Sequence, residues 1–205
     1  MFDIRKTMQA ATELQLSILA KKICCVNCTT DFFYTFTPLN FIKMKQTADY
    51  LRDTISNLMP LFLALNDENT IEKPAPNKWS KKELIGHLID SAGNNQQKFV
   101  RMVQQKHLDF VGYEQNHWVA VQYYNQTNWS ELLILWQYYN LHIAHIIENV
   151  EVFALQNTIK INGEGPFTLE FIVEDYVEHI KHHARQILPD TDIKSDFMNI
   201  YKNEK

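Results

Sequence analysis

Four stretches between Thr47 and Leu188 carry apolar residues at three- and four-residue spacing, the signature of helices that bury one face. That periodicity limits the fold more than any other feature of the chain. The first stretch, about Thr47 to Leu65, is marked by Tyr50, Leu51, Ile55, Leu58, Phe62 and Leu65, and Pro60 predicts a kink or a detached last turn. The second opens on Ser80-Lys81-Lys82-Glu83, a capping box in which hydroxyl and carboxylate satisfy free backbone N–H groups reciprocally, with Trp79 and Leu84 at staple positions. It runs to about Lys106 and buries Leu84, Leu88, Ala92, Phe99 and Val103. The third begins near Asn128, again with a box-like Asn128-Trp129-Ser130-Glu131, and runs to about Asn149 on Leu132, Leu135, Trp136, Tyr139, Ile143 and Ile146. The last runs from Thr168, a good N-cap, to Leu188, with Pro189 as the stop.

Four such segments predict an all-α fold, a four-helix bundle. The composition agrees: 45% of 205 residues are hydrophobic, enough for one sizeable core, and five glycines and six prolines are few for a sheet-rich chain. The connections are less regular. Gly112 to Trp118 is aromatic and irregular, and a short helix is expected around Val119 to Tyr124. Residues 150–167 read as a loop, with a brief strand near Ile159-Lys160-Ile161, long enough to carry a crossover. Gly163-Glu164-Gly165 lacks the flanking strand, further glycine and lysine of a phosphate loop.

The bundle domain is expected over 44–190, between an extension at 1–43 without clean helical periodicity and a polar tail at 191–205. Cys24, Cys25 and Cys28 are odd in number and clustered, which argues against a disulfide framework, and no second cysteine pair completes a zinc site. A net charge of -4 without a basic stripe gives nucleic-acid binding little support. No apolar run approaches the ~20 residues of a membrane span, and the expectation is a cytoplasmic protein with no membrane partner.

Histidine placement carries the chemistry. His179 and His183 lie four apart on the last helix, one above the other, so one cation can be held from a single face. Both fall at the edge of the inward side. His87 lies at the edge of the second helix's stripe, near Ser91. Three imidazoles from two helices would leave a metal's remaining positions open, as catalysis requires; the competing reading is a set of hydrogen-bonded core histidines. His142 and His145 on the third helix are a rival ligand pair, His117 sits where it could line a pocket, and His182 should face solvent. Asp90 and Asp175 lie near the ligand candidates and could accept a ring N–H and fix its tautomer.

The run Lys78-Trp79-Ser80-Lys81-Lys82-Glu83-Leu84-Ile85-Gly86-His87-Leu88-Ile89-Asp90-Ser91-Ala92 resembles the second helix of the DinB-like superfamily. Asp175-Tyr176-Val177-Glu178-His179-Ile180-Lys181-His182-His183 resembles its last-helix motif, and Gly112 to Val119 and Tyr139 to His142 are similar to it as well. The resemblance covers about Met44 to Leu188. It implies a bundle of up-down-down-up order, often a homodimer, and a divalent metal held by His87, His179 and His183: zinc or nickel by ligand type, with iron or manganese as alternatives. It also implies a small-molecule substrate. Its better understood members are thiol S-transferases and isomerases that use low-molecular-weight thiols, and others are classed as metal hydrolases. The expected function is therefore thiol S-transfer onto small electrophiles, with hydrolysis or a non-catalytic dimeric metal-binding bundle as the alternatives.

Overall fold

Caps written into the sequence fix where the long helices begin. In the computed structural model, which describes residues 38–198, α1 spans Pro38–Leu63, α2 Lys81–Gln104, α4 Trp129–Glu148 and α5 Leu169–Ile187. A short α3, Gln115–Val121, lies in the aromatic connection. The Ser80 box is complete: the Glu83 N–H donates to Ser80 Oγ, and the Ser80 N–H donates to the Glu83 carboxylate at 2.8 Å. The Asn128 side chain accepts from Ser130 and Glu131, and the Thr168 hydroxyl accepts from Phe171.

α1 starts earlier than the apolar stripe suggests. Pro38 is its first residue, where a proline's missing N–H costs nothing. Residues 38–43, assigned by sequence to an extension, are thus the first turns of α1; the rest of that extension, with Cys24, Cys25 and Cys28, lies outside the described residues, as do residues 199–205 of the tail. Pro60 does not split the helix, which continues to Leu63. Pro60 and Ser56 are both exposed, so the carbonyl that loses its partner is on the solvent side.

α1 and α2 each pack against α4 and α5, so helices consecutive in the chain are not the main packing neighbours. The core between them holds Leu51, Ile55, Phe62, Leu88, Phe99, Trp136 and Tyr176. Phe62 meets Trp129 and Trp136 edge-on, and the Trp129 indole N–H donates to the Phe62 carbonyl at 2.9 Å. Buried Tyr176 donates to Asn140 Oδ1, whose amide in turn donates to the Trp136 carbonyl. Two expected stripe residues face out instead: Tyr50 is 43% exposed and Leu135 51%. On α4 the inward face is rotated, and Leu133 and Ile147 are fully buried. All described residues belong to one compact unit.

The helices are not the whole fold. A three-stranded sheet in the order β1 (His107–Phe110), β2 (Thr158–Ile161), β3 (Glu164–Thr168) stands beside them. β1 and β2 pair in parallel, and β2 and β3 antiparallel. The expected strand at 159–161 is β2. Its hairpin with β3 turns on Asn162 and Gly163, both in the left-handed region at φ 51° and 89°, the conformations a two-residue turn of this type needs. Asn162 Oδ1 also accepts the Gly112 N–H at 2.8 Å, which fastens the irregular connection to the sheet. Among the described residues no helix is long and apolar enough to cross a membrane.

Gly86 shows how tightly α2 is covered. A Cβ at that position would overlap the ring of Tyr124, which packs flat over the helix backbone and donates from its hydroxyl to Asp90 at 2.7 Å. Gly86→Ala should therefore destabilise the protein by about 1–3 kcal/mol through overpacking, opposite in sign to the ~1 kcal/mol that alanine gains over glycine in an open helix interior. Denaturant unfolding curves of the two proteins check this.

Candidate metal centre

His87 projects from the second turn of α2, and His179 and His183 from adjacent turns of α5. The two helices are packing neighbours, so the three rings meet. His179 Nε2 lies 3.3 Å from His87 Nε2 and 3.0 Å from His183 Nε2, and one ligand nitrogen of each ring lies within 4.8 Å of the others. His87 is 1% exposed and His183 9%, while His179 is half-buried.

Hydrogen bonding alone does not explain this cluster. The Nε2 of a neutral imidazole has one in-plane direction, occupied by a proton or by a lone pair. His179 Nε2 can therefore serve only one of its two neighbours. A cation at the centre would meet all three lone pairs at once. The separations suit such an ion: bonds of about 2.0–2.1 Å in tetrahedral geometry put neighbouring nitrogens roughly 3.3 Å apart.

The electrostatics keep the rings uncharged. Burial pushes His87 well below the usual histidine range, and the nearby charge of His183 adds to the effect. Burial does the same to His179, followed by repulsion from His183, His87, His182 and Lys98. His183 is lowered to about 4, by burial first and then by His182, against the opposing bond to Gln186. With Nε2 turned to the centre, the ring protons sit on Nδ1. His179 Nδ1 is 3.4 Å from Ser91 Oγ, and His183 Nδ1 is 3.2 Å from Gln186 Oε1. His87 Nδ1 is buried without a partner among the described residues, and its ring lies against Trp79 at 4.8 Å between centroids.

The triad forms part of the wall of a cavity of about 410 Å³. α2 contributes Ser91, Asn95 and Lys98, α5 contributes Asp175 and Tyr176, and the sheet side contributes Phe110 and Asn162. Lys98 is buried, with its ammonium 5.4 Å from the centre of the Phe110 ring. The Asp175 carboxyl is raised to about 7, chiefly by burial, with Lys98 pulling it down and Glu178 pushing it up.

The other residues singled out by sequence fall elsewhere. Asp90 accepts from Tyr124 and from Gln122, the latter at 2.6 Å, and burial pushes its pKa above the usual carboxylate range. It belongs to the Tyr124 contact, and Ser91 and Gln186 are the groups that meet ring nitrogens of the triad. His142 is exposed beside Gln96, and His145 is exposed beside Asn149. His117 is exposed and lines a neighbouring groove with Trp118 and Arg101. His182 does not simply face solvent: it is half-buried, lines the cavity and lies 5.2 Å from the Phe197 ring. Phe197 itself, also 5.1 Å from the His179 ring, carries no local sequence signal. Ser91, one turn from His87 on the same helix edge, did carry one.

Residues 50–187 match the model of the DinB superfamily. The chain belongs to the DinB superfamily. Among solved structures it is similar to YfiT from Bacillus subtilis, "a probable metal-dependent hydrolase with an unusual four-helix bundle topology". The likeness has a TM-score of 0.63 at 16% identity and covers 78% of this chain and 90% of YfiT. Identity this low establishes a shared fold. Among curated proteins, no sequence matches significantly.

The lowered imidazoles set the pH response of the metal-free protein. Unfolded histidines bind protons below about 6.5, whereas the folded rings resist protonation until well below that. Stability is therefore whole above 6.5 and is lost as pH falls through the window down to about 4. A ring held at about 4 alone contributes a loss on the order of 3 kcal/mol across that window. Urea unfolding at pH 7 and pH 5 should show the drop, and His183→Gln should flatten it.

Proposed function

We propose that this DinB-superfamily protein is a divalent-metal-dependent hydrolase of small molecules, with His87, His179 and His183 as the metal ligands. One observation carries the reading: three uncharged imidazoles from two helices converge at separations that a small cation spans, on the wall of an open cavity. The all-imidazole donor set suits zinc or nickel, with iron or manganese as further candidates. Held by three neutral ligands, such an ion keeps its double charge and makes a water or a thiol acidic enough to act as a nucleophile near neutral pH.

The chain's own residues supply the rest. Ser91 and Gln186 fix the tautomers of His179 and His183. Trp79 packs on His87 and excludes water from that side. Asp175 lines the same cavity with a proton affinity near neutrality, which suits a general base. A bound dication would draw its proton affinity down and leave the carboxylate ready to accept.

Asp175 is also what favours water over a thiol as nucleophile. A thiol beside a dication ionises readily by itself, whereas water gains more from an adjacent base. Thiol S-transfer onto a small electrophile would use the same three ligands and is the second reading. His179→Ala should lose tight metal binding, as measured by elemental analysis of protein purified without chelator; unchanged metal content defeats the proposal. Asp175→Asn should keep its metal and lose about 10²-fold or more in turnover on ester, amide and phosphoester panels. Metal-dependent depletion of a thiol with a model electrophile, without hydrolysis on those panels, would instead favour S-transfer.

A further inference from the structure

The segment after α5 does not run off into solvent. From Pro189 it turns back along the outer side of α5 and is pinned at a single residue of that helix. The Ser195 hydroxyl donates to the Glu178 carbonyl at 2.8 Å, and the Asp196 N–H donates to the Glu178 carboxylate at 2.7 Å. Ser195 Oγ also accepts the Phe197 N–H at 3.2 Å, closing a small turn. Lys181 and Tyr50 hold the same Glu178 carboxylate from the helix side. Glu178 immediately precedes His179, so the anchor and the proposed ligand share one turn of helix.

The outcome is the placement of Phe197. Its ring lies 5.1 Å from the His179 ring and 5.2 Å from the His182 ring, and it lines the cavity that the triad borders. This large apolar side chain lines the cavity and is not one of the residues that form the hydrophobic core or pack against it. From this geometry we infer that the segment 195–197 is a wall of the active site, and that Phe197 is a specificity-determining residue that contacts the substrate. The inference rests on the metal-centre reading above for the position of the reacting group. The ligand class it fits is a small molecule with a flat apolar group, aromatic or conjugated, next to the atoms that would meet the cation. Glu178 and Ser195 act as positioning residues, through Phe197.

Two measurements on the full chain test this. The first needs no metal. In metal-free protein, diethyl pyrocarbonate modification of His179 and His182, followed by mass spectrometry, should be at least fivefold faster in Phe197→Ala and in Glu178→Gln than in the original protein. His142 and His145, exposed on α4 beside Gln96 and Asn149, serve as internal controls and should not change. Equal rates in all three proteins overturn the wall. The second uses cobalt-loaded protein and its visible absorption bands, titrated with benzohydroxamate and with acetohydroxamate. Phe197→Ala should lower affinity for the aromatic probe about fivefold or more relative to the methyl probe, and Phe197→Tyr should retain the original preference. A preference that is unchanged or increased in Phe197→Ala overturns the specificity role. If no cobalt bands develop in the original protein, the metal-centre reading fails and the substrate-contact role falls with it, while the modification rates still decide whether the segment covers the cavity.

Discussion

Three imidazole nitrogens crowd one point in a place where none of them can easily take up a proton. A neutral ring can place its one proton in only one of the two contacts at His179 Nε2, 3.0 and 3.3 Å long; the other is unfavourable unless a cation stands there, and burial disfavours a further proton in that role. The fold accepts this arrangement because each ring is held from behind. His87 is packed under Trp79, His179 is met by Ser91, and His183 by Gln186. Relaxing the crowd would mean opening the contact between α2 and α5, which also buries Leu88, Phe99 and Tyr176. The bundle thus keeps the three donors close together at its own expense, and a site that binds a cation recovers that cost on loading.

The parts of this arrangement that follow local rules were legible in the sequence. The Ser80 box, the Asn128 cap and the Thr168 cap each act over three residues and depend on nothing distant, so they appear where the letters put them. The triad was legible for a similar reason. His179 and His183 are neighbours on any helix, and His87 lies at the edge of an apolar stripe, where a side chain can reach a partner helix and still border a cavity.

What the sequence did not reveal depends on tertiary packing. The inward face of α4 is set by how α1 and α2 flank it, so Leu133 and Ile147 are buried and Leu135 is left out. The Asn162-Gly163 pair is a recognised hairpin signal, yet β2 needs β1 beside it, and their parallel pairing joins residues 51 apart in the chain. His182 looks solvent-facing on an isolated helix and becomes half-buried because Phe197 returns over it. Phe197 had no pattern to betray it; only its anchorage at Glu178 explains its place.

The pairing of β1 with β2 has a kinetic corollary. His107 faces Thr158 across a parallel ladder, and the whole stretch between them, including α3 and α4, closes as one loop when those strands meet. Contacts of such long sequence separation carry a large loop-closure cost and form slowly. Phe110, Gly112 and Asn162, which border the cavity opposite the histidines, all lie on or beside this ladder. Docking of α2 on α5 closes a longer loop still, from His87 to His179, so both walls of the pocket depend on contacts between distant parts of the chain.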